Sequence, residues 1–289
     1  EETYKALEAS KAWSKAEMIA PKQFREEISP YFNANPKKYI SALVSEDCWQ
    51  ATPGKVVDLV RNLGIAAGGT VMEDCRVLEA CREGKYTSVL VQTHDKKYVE
   101  YRTEHFVNAL GSGAGKLCDS MGIDAGLYPV RHQAFITRRL PMLGKHGTNL
   151  DMLIDRQDYK GFSAVYGQQI AYTGQIIGCA SPKLDAMRID KNLKVNTKAF
   201  LEIVSEMFSE WIPDLAGVGI QAVWAGYYTE PRYIVDPELG LFVGMRGHGF
   251  MLSQYIARMY VDKLLGRPVP EYFEKLKLNG PGLSEKAFK

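Results

Sequence analysis

What this chain lacks narrows its function first. No apolar run approaches the length of a membrane span, and no secretory leader is visible, so nothing points to a transmembrane or exported protein. Neither sign of charge is in excess: 36 Lys and Arg against 34 Asp and Glu leave +2, which gives no argument for nucleic acid or a membrane surface. Cysteine is sparse. Cys48, Cys75, Cys81, Cys118 and Cys179 are odd in number and scattered, without metal-type pairs. They read as reduced thiols, mostly in the core, which suits a cytoplasmic compartment, or the mitochondrial matrix in a eukaryote. There is no internal repeat and no low-complexity segment. No Ser-His-Asp set or paired carboxylates stand out, so no catalytic residue is assigned, and no metal is expected. A spaced Gly-x-Gly-x-x-Gly turn is missing too. Gly111-Ser112-Gly113-Ala114-Gly115-Lys116 lacks that spacing, and a P-loop needs its first Gly further upstream.

What is present suits a globular protein. Hydrophobic residues make up 46% and charged residues 24% of 289, enough for one large or two modest domains. The most informative stretch runs from Gly240 to Gly266. Leu241, Phe242 and Val243 suit a short buried strand. Gly244, Gly247 and Gly249 crowd the turn after it. Leu252, Tyr255, Ile256, Met259, Tyr260, Val261, Leu264 and Leu265 then recur at helical spacing, with Gly266 at the C-cap position. A helix opening on such a turn offers unpaired N–H groups and the positive end of a dipole. It suits an anion, or a ring carbonyl that becomes negative on reduction. By spacing alone, a tight turn with no ligand fits equally well.

The remainder reads as mixed α and β. The pattern predicts a half-buried helix over Thr3–Met18, a second over Lys22–Ile28, and a turn-rich connector from Ser29 to Pro36. A strand comes next near Tyr39–Val44, then a helix from Gly54 to Leu63 that Gly64 ends. Strands are predicted around Val77 and over Ser88–Thr93, with two more segments between Tyr98 and Leu110. A helix covers Ala114–Met121. Val130–Thr137, Asn149–Asp155, Phe162–Gln168 and Gly174–Cys179 read as an antiparallel sheet, completed by Ala216–Gly226 after a helix over Asn196–Phe208. The tail beyond Pro268 reads as loose.

Four segments in order carry a family resemblance. Trp224-Ala225-Gly226-Tyr227-Tyr228-Thr229-Glu230-Pro231 leads into the Leu241–Val243 strand and the Gly247-His248-Gly249-Phe250 turn. Phe106-Val107-Asn108-Ala109-Leu110-Gly111 is similar to a Val-Asn-Ala-Ala-Gly strand end. Leu127-Tyr128-Pro129-Val130-Arg131-His132-Gln133 is similar to a Pro-Val-Arg-x-Gln strand. Together they resemble the D-amino-acid oxidase-like FAD-dependent oxidoreductases, the group of glycine oxidase, sarcosine oxidase and dimethylglycine dehydrogenase. The family begins with a strand, a Gly-x-Gly-x-x-Gly turn and a helix that bind the FAD pyrophosphate. This sequence opens on Glu1-Glu2-Thr3-Tyr4 instead, so that unit is expected to lie elsewhere, through truncation, processing, disorder or a separate subunit.

The resemblance implies an α/β (α+β) chain: a partial Rossmann-like FAD-binding domain and a substrate domain with an antiparallel β-sheet. It assigns 1–53 to N-terminal helices and a connector, 54–122 with 229–289 to the incomplete FAD domain, and 123–228 to the substrate domain. FAD is the implied cofactor. The implied contacts to it are the backbone at Val77, Gly111, and the loop Met245, Arg246, Gly247, His248, Gly249, Phe250 and Met251. Covalent attachment is not implied, because Ala225 stands where sarcosine oxidases carry the tethering Cys. Tyr227, Tyr228, Tyr166 and Arg246 fall at substrate positions. An Arg that grips the substrate carboxylate in glycine-oxidase-like members is replaced by Tyr228, which offers one hydrogen bond in place of a bidentate fork. Met251 stands where sarcosine oxidases carry a Lys. The implied activity is oxidation of the C–N bond of a small amino acid or secondary amine (sarcosine, glycine or proline type), with hydride transfer to flavin N5 and no strong protein base. Alternatives are a 2-hydroxy-acid or polyol-phosphate dehydrogenase of the same fold, or a non-catalytic subunit. The implied partners are a small amine or amino acid and an electron acceptor or partner subunit; nucleic acid is not among them.

Overall fold

The computed structural model describes residues 5, 16–28, 31, 33, 37, 39–45, 49–140, 142–143, 150–155, 162–170, 173–182, 197–213 and 216–282. Its elements in chain order are β1 (Ala16–Ile19), β2 (Ala42–Ser45), α1 (Pro53–Ala66), β3 (Arg76–Glu83), β4 (Tyr86–Gln92), β5 (Tyr98–Thr103), α2 (Ala114–Ser120), β6 (Tyr128–Thr137), β7 (Leu153–Asp155), β8 (Phe162–Ile170), β9 (Gln175–Pro182), α3 (Thr197–Trp211), β10 (Ile220–Glu230), β11 (Ile234–Asp236), β12 (Leu241–Val243) and α4 (Gly249–Leu264). The chain divides into two units. One is Glu1–Cys48, Val130–Tyr227 and Glu285–Lys289; the other is Trp49–Pro129 and Tyr228–Ser284.

The first unit is built on a five-stranded sheet in the order β10-β6-β9-β8-β7, with β6, β9, β8 and β7 paired antiparallel. Alternation along β6 turns Phe135 and Thr137 into the core. On α3, Phe200, Ile203, Val204, Met207, Phe208 and Trp211 recur three and four apart, so one helical face is wholly apolar, and all six are buried. The two faces meet ring to ring, with Phe135 edge-on to Phe208 at 5.3 Å between centroids. Phe135 lies opposite Gly178 across the ladder, and a Cβ on Gly178 would stand 2.6 Å from Cε1 of that ring. Only glycine leaves room there. A buried carboxylate, Asp155, accepts from Trp211 Nε1 and Tyr39 Oη, both at 3.1 Å. The small sheet β1–β2 supplies Ile19, and the helical turn after it supplies Phe24, to the same core.

The second unit holds the antiparallel meander β3-β4-β5, the hairpin β11–β12, and α1, α2 and α4. Leu117 of α2 packs with Ala80, Val89 and Val91 of the meander, while Ala114 and Cys118 pack with Ile234, Leu241 and Val243. One short helix therefore joins two cores. Asn108 fixes its end. The Asn108 N–H donates to Gly240 O at 2.8 Å, and Asn108 O accepts from Phe242 N at 3.0 Å, a parallel pairing with β12. Its side chain donates to Ala114 O at 3.0 Å. The segment ending at Gly111 and the Leu241–Val243 strand are thus joined by a parallel bridge.

Several sequence expectations need correction. Ala16–Ile19 is a strand and not the end of a helix, because it has a full antiparallel partner in Ala42–Ser45; most of the predicted helix before it lies outside the described residues, as does most of the Ser29–Pro36 connector. Gly64 does not stop α1, which runs to Ala66. The second strand segment before Gly111 shrinks to the single bridge at Asn108. The described part of the tail is not loose: Glu271–Leu276 forms a 3-10 helix that buries Phe273 and Leu276 against Val235, Ile256 and Met259. Arg232 holds the next few residues through the carbonyls of Leu278 and Gly280, and Asp236 accepts from the Leu278 N–H. Of the described cysteines, Cys118 and Cys179 are buried, Cys75 is half-buried and Cys81 is exposed.

Candidate functional site

The turn between β12 and α4 is shaped by what cannot fit beside it. Gly244 has φ +74, and a Cβ there would sit 3.0 Å from the Arg232 carbonyl carbon. Gly247 has φ +110, and its Cβ would meet the Tyr228 ring, 2.8 Å from Cζ and 3.0 Å from Cδ2. The Tyr228 ring therefore lies directly on the loop backbone. Arg246 takes a left-handed conformation, φ +50, that a side chain rarely adopts. Its Nε donates to Glu230 in an ion pair whose side chains are 18% and 17% exposed.

His248 occupies the N-cap of α4 without capping it by its side chain. Its Nδ1 lies 2.6 Å from the Tyr233 hydroxyl. Burial pushes the imidazole below its ordinary pKa, and the Arg246 charge pushes the same way. Burial also pushes the Tyr233 phenol up, with Arg246 opposing and Glu230 adding to the rise. Both rings are therefore uncharged at neutral pH. The Leu252 N–H reaches His248 O at 3.0 Å, closing the first turn, so the N–H groups of Gly249, Phe250 and Met251 have no intrahelical acceptor. No acidic residue lies in that first turn. The result is three backbone donors and a helix dipole with no carboxylate in the first turn to quench them, beside a guanidinium already paired with Glu230. Phe250 and Met251 are 47% and 68% exposed, so the donors are flanked by accessible apolar surface. Such a site can stabilise negative charge on a flat, largely apolar group.

The expected site residues fall in both units. Tyr228 and the loop Met245–Met251 come together in the second unit, with Tyr228 seated on Gly247. Val77 sits in that unit at a bulge in β3, half-buried against the Leu117 cluster. Gly111, φ +55, opens the short turn ahead of α2. Tyr166 on β8, opposite Ile154 and Cys179, and Tyr227 on β10 belong to the first unit. Glu230 and Tyr233 fasten Arg246 and His248, roles that sequence reasoning missed. These roles carry no sequence signal, since partners fifteen and sixteen residues away meet only through the turn between β10 and β11.

Comparison with known proteins settles the family. The model for FAD-dependent oxidoreductases of the DAO type matches residues 1–263. The chain belongs to this family. No curated protein sequence matches it. Among solved structures, the L-proline dehydrogenase of P. horikoshii is similar at 24% identity and a TM-score of 0.73, over 91% of this chain and 68% of that one. The glycine oxidase of Geobacillus kaustophilus is similar at 16% identity and 0.73, over 94% and 68%. The iminodiacetate oxidase of Chelativorans sp. BNC1 is similar at 12% and 0.70, over 97% and 71%. At these identities the likeness is one of fold. FAD is accordingly the cofactor of this oxidoreductase, and the open donors of α4 fit its ring system. No helix among the described residues is long and apolar enough to cross a membrane.

Proposed function

We propose that this oxidoreductase oxidises the C–N bond of a small amino acid or secondary amine of the sarcosine, glycine or proline kind. The observation that carries the reading is the start of α4, where the N–H groups of Gly249, Phe250 and Met251 have no side-chain cap and no acidic residue in their own turn. In this reading the loop Met245–Met251 holds the pyrimidine edge of FAD, and Gly111 and the Val77 backbone hold the remainder that this chain supplies. Residues 54–122 and 229–289 make the cofactor part, and 123–228 the substrate part. FAD, when bound, accepts the hydride equivalent released from the carbon beside the amine nitrogen. The loop donors would stabilise negative charge on the bound ring, in the manner of an oxyanion hole. No covalent tether forms at position 225, since Ala225 offers no nucleophile.

On the substrate side, Tyr228 gives one hydroxyl donor to a carboxylate, with Tyr227 and Tyr166 as further contacts. Arg246 is engaged by Glu230 through Nε, so it serves the loop before it serves the substrate. The names of the three relatives, enzymes of proline, glycine and iminodiacetate, support an amine-bearing carboxylate as the substrate class. A partner subunit or carrier protein as electron acceptor belongs to the same proposal. It is supported by the surface of α1, which buries no residue and exposes Val57, Leu59, Val60 and Leu63. The test is anaerobic mixing of the FAD-loaded protein with a panel of amines and hydroxy acids while flavin absorbance is followed. Bleaching by amines is expected. Bleaching by hydroxy acids alone overturns the proposal.

A further inference from the structure

The turn between β10 and β11 grips the flavin loop at two points. Glu230 takes the Arg246 guanidinium, and Tyr233, three residues on, takes the His248 ring at 2.6 Å. The two gripped residues stand two apart in a turn closed by the His248 N–H on Met245 O at 2.9 Å. We propose that Glu230 and Tyr233 are positioning residues that fix the His248 ring at the start of α4, with Nδ1 as acceptor and the proton on Nε2.

The assignment rests on geometry and on the groups that face the ring. The Tyr233 phenol is half-buried and keeps its proton at neutral pH, so it has a proton to give to Nδ1. A neutral imidazole that accepts at Nδ1 carries its own proton on Nε2. The charged group acting on the ring is Arg246 from the loop, while Glu230 from the turn acts on the Tyr233 phenol; the positive end of α4 adds to Arg246 in disfavouring an imidazolium. Tyr233 itself packs into the apolar cluster of Val235, Ile256, Met259 and Tyr260, which holds its hydroxyl in place. Glu230 acts one step back: by holding the Arg246 side chain it steadies a non-glycine residue at φ +50 and with it the turn that presents His248. The clamp rests on the proposed flavin-binding role of the loop only for its consequence, that α4 presents its donors in one geometry whether or not FAD is present.

The test is side-chain nitrogen NMR of the full chain labelled at histidine, with and without FAD, beside FAD titrations. At pH 7 the wild type is expected to show His248 as the Nε2–H tautomer. Tyr233→Phe, which keeps the packing, should raise the share of the other tautomer at least about threefold and weaken FAD binding roughly three- to tenfold, the worth of one hydrogen bond. Glu230→Gln should split or broaden the His248 signals as the ring loses its single position. A wild-type Nδ1–H tautomer or imidazolium at pH 7 overturns the proposal, and so do wild-type ring signals in both variants. A wild type with the expected tautomer that takes up no FAD leaves the clamp standing and removes the flavin-loop reading.

Discussion

Gly247→Ala is the sharpest perturbation of the candidate site, because two independent costs fall on one methyl group. Alanine at φ +110 lies in a region that side chains avoid, at about 1–3 kcal/mol. The new Cβ would also stand 2.8 Å from Cζ and 3.0 Å from Cδ2 of Tyr228, inside van der Waals contact. The ring or the loop must shift, at about 1–3 kcal/mol more. The expected total is roughly 2–6 kcal/mol, a large part of the stability of an ordinary domain. Urea unfolding of Gly247→Ala, Tyr228→Leu and the double variant separates the two costs. If the ring lies on the loop, Tyr228→Leu relieves the crowding share and leaves the backbone share, so the double variant is more stable than the singles add up to by about 1–3 kcal/mol. Fluorescence titration of FAD into each variant reads the same coupling at the loop. Strict additivity would mean that Tyr228 and Gly247 do not touch, and the seating of the Tyr228 ring on the loop would fall with it.

How much of the fold and the site was legible in the sequence depends on the range of the interactions. The strand, glycine turn and helix from Leu241 to Leu264 were readable because their signals are local: an apolar triplet, glycines, then helical spacing closed by Gly266 at φ +68. The five-stranded sheet was readable for the same reason, from short apolar strands parted by turn residues. The first strand was missed because Ala16-Glu17-Met18-Ile19 has no strand pattern of its own and is fixed by pairing with Ala42–Ser45, more than twenty residues away. The tail was misread because its polar residues face outward. Only the fold shows that Phe273 and Leu276 meet Val235 and Ile256, and that Asp236 and Arg232 receive the backbone after them. The loop residues were found by motif, but their electrostatics were not. Arg246 reads in sequence as a candidate clamp for a carboxylate, with nothing local to signal the Glu230 beside it, and nothing near His248 signals Tyr233. Pairing partners of this kind depend on where two turns meet in space, which no periodicity records.

Three further outcomes are expected. Met251, 68% exposed in the first turn of α4, brings no charge to the site, so reoxidation of the reduced holoenzyme by oxygen should be slow and Met251→Lys should speed it at least about tenfold; rapid wild-type reoxidation, unchanged by the lysine in stopped flow, contradicts this. Phe273→Ala, at a fully buried position, should cost about 3–5 kcal/mol in urea unfolding, and a loss under about 1 kcal/mol would show that the tail does not pack against Val235 and Ile256. The last outcome concerns acid. His132 on β6 is 9% exposed, and burial alone lowers its pKa from 6.5 to about 4. Between those values the unfolded chain binds a proton that the folded chain refuses, so stability rises with pH across that window. The contribution is complete above pH 6.5 and is lost as pH falls toward 4. Its size is roughly 3 kcal/mol, from about 1.4 kcal/mol for each pKa unit. His132→Leu removes the titration and keeps an apolar side chain at the site, so its unfolding free energy should fall less between pH 7 and pH 4 than that of the wild type, by about that amount. Carboxylates protonate in the same range in both proteins, and the difference between the two curves cancels them. Parallel curves would mean that His132 accepts its proton inside the folded protein, and its burial in the sheet would then be wrong.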